Sequence, residues 1–363
     1  MKKLGVMSVL ALALVATAAA AETLPADVGP QFQSIGPLAF GPDGVLFAAD
    51  NRAARIYAID LGDAAAGATQ GAQDIQGIDQ KIASMLGTDA RELTITDLAI
   101  HPESKNAFLS AQRGQGSSAR AVLLRVDGAG EIDVVSIDKL EYTMVGIPNA
   151  PDADPKARRD PRQATITDIV YVDGRVFIAG LSNEEFASKL RSVKYPFESV
   201  DNGTSVEIYH GAHGQWETRS PVYTFVEYEV DNEPHLIAGY LCTPLVKFPV
   251  KKLEAGQKLV GTTIAELGNR NRPLDMIVYS KDGKDYILMS NTSRGVMKIP
   301  TEGFSSQEGI TDHVSGGGKA GIAYDTITSM KGIEQLDLLD ESHSIVLART
   351  DSGALNLEKV ALP

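Results

Sequence analysis

Three aspartates stand at matched places in this chain. "TITDLAIH" begins at Thr94, "TITDIVYV" begins 71 residues later at Thr165, and "RPLDMIVY" begins at Arg272. Each sets one carboxylate, Asp97, Asp168 or Asp275, just ahead of an apolar run. Carboxylates gathered from separate segments suit a hard divalent cation, which takes several carboxylate and carbonyl oxygens. Calcium is the ion this set would hold, with Asn183 or Asn291 adding an amide oxygen. The same aspartates would equally cap backbone N–H groups where their strands begin, or pair with arginines. Arg113, Arg272, Arg294 and Arg349 fall where they would be partners. These residues, together with Cys242, are the candidate ligand-binding set, and Asp97, Asp168 and Asp275 are the candidate metal ligands. No catalytic set is evident, and no cofactor other than calcium is suggested.

Other chemistry-bearing residues are more isolated. "YHGAHGQWE" holds His210, His213 and Glu217, two imidazoles and a carboxylate of the kind zinc accepts. Gly211 and Gly214 bracket a turn there, so the sequence reads as the tip of a hairpin, without the helix on which H-E-x-x-H presents its ligands. Cys242, the single cysteine, excludes an internal disulfide and reads as a buried thiol at a strand end. "SGGGKAG" at 315–321 lacks the spacing of a phosphate loop and reads as a flexible insert. No G-x-S-x-G motif is present to carry a nucleophile elbow.

The elements that must position these residues repeat. Copies of one pattern start at Ser34, Thr94, Thr165, Val222, Arg272 and Gly332. Each has an inner run, a turn, a second apolar run, a polar break and a third run. The second runs align as VLFAAD, AFLSAQ, VFIAGL, HLIAGY, YILMSN and SIVLAR, which reads as strands buried on both faces. Turn signals precede them, such as Pro42-Asp43-Gly44, Asp173-Gly174 and Asp282-Gly283. "EIDVVSI" at 131–137 and "TSVEIYH" at 204–210 read as fourth strands. The fold class is all-β, a six-bladed propeller with insertions between blades. The inserts lie at 64–93, 128–164, 184–221 and 301–331, and "GIDQKIASMLG" in the first has helical spacing.

In such a ring the start of a first strand and the end of a second lie on one face. The first strands begin in register at Pro37, Asp97, Asp168, Thr224, Asp275 and Gln335. TITD therefore opens the channel-lining strands of two blades expected to be adjacent. A polar mouth lined by Asp and Arg, partly covered by inserts, is expected there. The last copy ends at Val360 with three residues to follow, so residues 30–35 are expected to complete its blade.

"FGPDGVLFAADNRAARIYAID" at 40–60 resembles a repeat of the six-bladed NHL and gluconolactonase/regucalcin type. The resemblance is strong over that one blade and diffuse elsewhere. It implies a propeller, and in the gluconolactonase-like members a metal that polarises a lactone carbonyl and binds the attacking water. That family carries a metal-ligating glutamate near the start of the first inner strand, where this chain reads Ser34-Ile35-Gly36-Pro37. Such repeats occur in enzymes and binding proteins alike, and without that glutamate or a clear catalytic set the function expected is a binding or interaction propeller, with a calcium-dependent lactonase-type hydrolase as the alternative.

The first residues, "MKKLGVMSVLALALVATAAAAETLP", have a basic start, an apolar stretch and an Ala-Ala-Ala site. They read as a cleavable secretory leader over 1–21, followed by a single domain over 22–363 in the periplasm or outside the cell. No later apolar run is long enough to span a membrane. The formal net charge is −13, which opposes nucleic acid and anionic lipid. The partner expected is a small molecule or an exported protein.

Overall fold

Strand pairing accounts for all six copies. The computed structural model describes residues 19–20, 29–66, 73–154, 156–242 and 244–363. The leader expected over 1–21 lies outside them except for Ala19–Ala20, which pair with Ser199–Val200. Blade 1 joins Leu38–Phe40, Leu46–Asp50, Arg55–Ile59 and Tyr142–Gly146. Blade 2 joins Leu93–Ile100, Ala107–Arg113, Arg120–Val126 and Ile132–Val134. Blade 3 joins Asp168–Val172, Arg175–Leu181, Ser188–Lys194, Thr204–His210 and Gln215–Glu217. Blade 4 joins Val222–Val230, Glu233–Tyr240, Pro244–Pro249, Thr262–Leu267 and Lys319–Gly321. Blade 5 joins Pro273–Lys281, Lys284–Asn291, Val296–Pro300 and Asp325–Ile327. Blade 6 has Ile333–Leu338, His343–Arg349 and Leu355–Ala361. The chain is a six-bladed β-propeller. Both expected fourth strands form, and the helical spacing of the first insert becomes a helix over Ile78–Met85.

The second strands run apolar throughout because each of their faces packs on a different neighbour. In blade 1, Leu46 and Ala48 enter a buried cluster shared with blade 2, while Phe47 and Ala49 enter one shared with blade 3. Six such clusters fill the six contacts between blades. They also fix the order around the ring, which is 3, 4, 5, 6, 2, 1 and back to 3. Blades 2 and 3 are therefore not adjacent, contrary to the order along the chain. After Ile132–Val134 the chain returns to blade 1, where Tyr142–Gly146 pairs with Arg55–Ile59. Only then does it begin blade 3, so blade 1 lies between the two TITD blades.

The last blade closes in an unexpected way. Its outer strand is bridged by Ile75, whose N–H donates to Leu357 O at 2.8 Å while Leu357 N–H donates to Ile75 O at 3.0 Å. Asp74 accepts from Lys359 N and Asp79 accepts from Leu355 N. Residues 30–35 do not reach this edge. Gln33 and Ser34 donate their backbone N–H groups to Asp50, and Phe32 packs on Tyr57, all within blade 1. Buried Asp50 collects those donors, leaving this segment on its own blade. Among the described residues no helix is long and apolar enough to cross a membrane.

Candidate functional site

A local irregularity aims the repeated aspartate. In blades 2, 4, 5 and 6 the pairing of first and second strand slips by one residue just before Asp97, Thr224, Asp275 and Gln335. Blade 3 repeats it, since Thr167 N–H donates to Ala179 O while Asp168 also pairs with Ala179. In blade 1, Gly36 N–H donates to Ala49 O and Ala49 N–H donates to Pro37 O. Such β-bulges re-aim the side chain that follows. Here they turn the in-register residues toward the central channel.

The carboxylates then tie blade to blade. Asp97 Oδ2 accepts from Leu38 N of blade 1 at 2.6 Å, and its Oδ1 accepts from Leu98 N at 2.9 Å. Asp168 accepts from Phe225 N of blade 4 and Ile169 N, both at 2.8 Å. Asp275 accepts from Leu336 N of blade 6 and Met276 N, again both at 2.8 Å. A fourth carboxylate, Asp337, accepts from Ile100 N of blade 2 at 2.6 Å and Leu338 N at 2.7 Å. Innermost strands expose unpaired N–H groups to the channel, and each aspartate satisfies one on the next blade. With its amide nitrogen turned toward the carboxylates, Gln335 donates to Asp97 Oδ1 at 3.0 Å and Asp275 Oδ2 at 2.8 Å.

A cavity of about 440 Å³ lies against this ring. Its lining starts at Asp97, Asp168, Asp275 and Asp337 and continues toward Phe40, Ile100, Val172, Glu227, Val278 and Leu338. The aspartates thus form the floor of a channel whose lining extends away from the insert-bearing rim. Among the described residues no lysine or arginine lines it. Burial raises Asp168 to about 7 and Asp337 to about 6, against the backbone donors that lower them. Asp97 and Asp275 are pushed well above the ordinary carboxylate value, first by burial and further by neighbouring carboxylates, Asp97 acting on Asp275 and Asp168 on Asp97.

The remaining sequence candidates sit apart from this floor. Exposed Arg113 reaches Gly87 O, and Arg349 forms a two-pronged pair with Glu334. Exposed Arg272 lies over the Tyr223 ring, and Arg294 donates to Asn269 O. Asn183 is exposed, and buried Asn291 accepts from Ser293 and Arg294 N–H groups of its own turn. Cys242 lies at a turn with φ 61° beside the outer part of blade 3. So the arginines serve rim turns, and the expected joint Asp and Arg lining does not form. A wider depression of about 740 Å³ elsewhere has Arg52, Arg120 and Arg162 on its walls, but Arg52 and Arg162 already donate to backbone carbonyls. Asp337 escaped the sequence reading because it lies two residues beyond the aligned position. The signal was there in "EQLDL": residues two apart on a strand share a face, so Asp337 points with Gln335.

No family model and no curated protein matches the chain. Solved structures similar to it include the PQQ-bound aldose sugar dehydrogenase of Streptomyces coelicolor, at 12% identity over 94% of this chain and 98% of that one, with a TM-score of 0.33. A glucose dehydrogenase is similar at 11% identity, covering 94% and 99%, with a TM-score of 0.35. The plexin A4 extracellular region is similar at 10% identity, covering 92% of this chain and 40% of that one, with a TM-score of 0.39. The propeller of this chain stands on its own strand pairing and its six cores.

Proposed function

We propose that this chain is an exported binding propeller whose central channel receives a small organic cation. The observation that carries this reading is the channel floor: four aspartates and Glu227 face one cavity with no basic side chain among its described lining. Phe40, Tyr171 and Phe225 add aromatic surface to the walls, which suits an ammonium group. A bound cation would favour the ionised carboxylates, so affinity should rise with pH through about 6 and about 7, the values of Asp337 and Asp168. The calcium-dependent hydrolase is less well supported. A calcium ion would need several of these oxygens within about 2.6 Å at once, and each oxygen of Asp97, Asp168 and Asp275 is already held by a backbone N–H, whereas an ammonium group needs only longer charge contacts to them.

Calorimetric titration of the mature chain with choline, putrescine, calcium and glucose tests the reading. An organic cation should saturate one site, and Asp97→Asn should weaken it by about tenfold, roughly the 1.4 kcal/mol of one lost charge contact. Saturation by glucose alone, or by calcium alone with loss in Asp97→Asn, would replace the proposal. Export rests on the first 21 residues and is tested by the intact mass of periplasmic protein, which should begin at Glu22.

A further inference from the structure

A second cluster of chemical groups lies at the contact between the outer part of blade 3 and the rim of blade 4. Thr204–His210 ends in a tight turn, where His213 N and Gly214 N both donate to His210 O, at 3.0 and 2.8 Å. The turn folds His213 back over His210, with ring centroids 3.7 Å apart and planes 32° from parallel. Gln215–Glu217 then pairs with the same strand and returns Glu217 to the histidines. Glu217 Oε1 lies 2.7 Å from His213 Nδ1 and 3.1 Å from His210 Nδ1. Cys242 arrives from blade 4, held by its N–H donating to Asn271 O at 2.8 Å. One nitrogen of each imidazole and the Cys242 sulfur all lie within 4.8 Å of one another.

We propose that His210, His213 and Cys242 form a zinc-class metal site, with Glu217 orienting the His213 imidazole and standing as a counter-charge beside His210. Thiolate and imidazole are ligands for a borderline-soft ion of the zinc kind and not for calcium or magnesium. A tetrahedral zinc, with bonds of about 2.0–2.3 Å, needs its ligand atoms roughly 3.3–3.8 Å apart, so the widest spacing in the cluster has to close by at most about 1.5 Å. A second observation points to a ligand independently of that spacing. His210 is only 2% exposed, and its Nε2 has no hydrogen-bond partner among the described residues. Its Nδ1 is within ion-pair distance of Glu217 but outside hydrogen-bonding geometry. Buried polar atoms are seldom left this way.

A hairpin turn alone would account for His213 and Glu217. It would account neither for the buried, unsatisfied His210 ring nor for a thiol brought to it from another blade. At His213 the carboxylate bonded to Nδ1 matches the way metal-bound histidines are oriented, with the other ring nitrogen free to meet an ion. Metal binding would release the thiol proton to solvent and form the sulfur–metal bond. Three protein ligands leave a fourth position, and an adjoining cavity of about 410 Å³, lined by both histidines, Trp216 and Glu217, gives solvent access to it.

The test uses the full mature chain, stripped by chelator and titrated with cobalt(II). Trp216 is the only tryptophan and lines this cavity, so its fluorescence should report binding. One equivalent should produce a sulfur-to-cobalt charge-transfer band that zinc displaces. Cys242→Ser should abolish the band. His213→Ala, at an exposed position, should weaken binding by at least about tenfold, and Glu217→Gln by about 10–100-fold with the band retained. Asp97→Asn should leave all of this unchanged, which separates the site from the channel. Absence of the band, or unchanged cobalt affinity in both Cys242→Ser and His213→Ala, would overturn the proposal. Should His210→Ala fail to fold, His213→Ala still decides.

Discussion

At the scale of single residues, the channel aspartates carry two duties that pull in opposite directions. Each accepts two backbone N–H groups, which favours the charged form, yet burial wins and raises all four. A carboxyl whose folded value lies above its unfolded value contributes stability that is complete below the unfolded value of about 3.9 and is lost as pH rises through the folded one. The native state should therefore weaken from about pH 4 upward, and the loss should be complete once Asp337 and then Asp168 have ionised, at about 6 and about 7. At ~1.4 kcal/mol per pH unit, Asp168 alone sets a ceiling of ~4 kcal/mol, reduced by its partial exposure to the channel. Asp168→Asn should flatten this dependence while lowering stability at pH 5, since its amide N–H₂ must face either Ile169 N or Phe225 N. Urea unfolding at pH 5 and 8 measures both effects, and an undiminished pH slope in the variant would refute the assignment. The sequence showed the three matched aspartates through their spacing. It did not show their acceptor role toward the next blade, because that partner is a backbone N–H and any residue supplies one. Nor did it join Cys242 to His210, which lie 32 residues apart with no shared motif.

At the scale of elements, the bulge before each in-register residue lets an edge strand address its neighbour. In blade 3 the bulge presses the TITD segment onto the second strand. A Cβ added at Gly180 would sit 1.9 Å from Thr165 O, a backbone atom that cannot swing aside. Gly180→Ala should therefore lift the segment that carries Asp168 and cost roughly 1–3 kcal/mol, as overpacking does. Gly146, in the outer strand of blade 1, has nothing within 4 Å of its would-be Cβ and serves as the control. Gly146→Ala should be neutral or stabilising by less than ~1 kcal/mol. Equal effects from the two substitutions would show that the close approach of Thr165 does not matter. The strands themselves were legible, because a run buried on both faces and bounded by turn residues has few other readings. The bulges were not, since a one-residue slip leaves the apolar pattern almost intact.

At the scale of the whole molecule, chain order and ring order diverge. Local patterns encode blades and carry no mark of which blade lies beside which, so the interchange of blades 1 and 2 was invisible in the sequence. Closure follows from that interchange. With blade 2 beside blade 6, the insert between blades 1 and 2 lies where the last blade has an open edge. Ile78 and Ile82 of its helix bury against Leu355 and Leu357. The edge needs a backbone partner, and Ile75 supplies one while the N-terminal segment stays with Asp50 and Tyr57. Ile75→Pro deletes the N–H donated to Leu357 O and should cost about 2 kcal/mol or more through the lost bond and the disturbed packing. Phe32→Ala, which removes the tilted ring contact with Tyr57, should also destabilise the fold, so melting alone does not separate the two segments. Amide exchange does. Protection at Leu357 should fall in Ile75→Pro through local opening of the last strand, whereas Phe32→Ala should loosen blade 1 and leave that amide protected up to global unfolding. Selective loss of Leu357 protection in Phe32→Ala would return closure to the N-terminal segment.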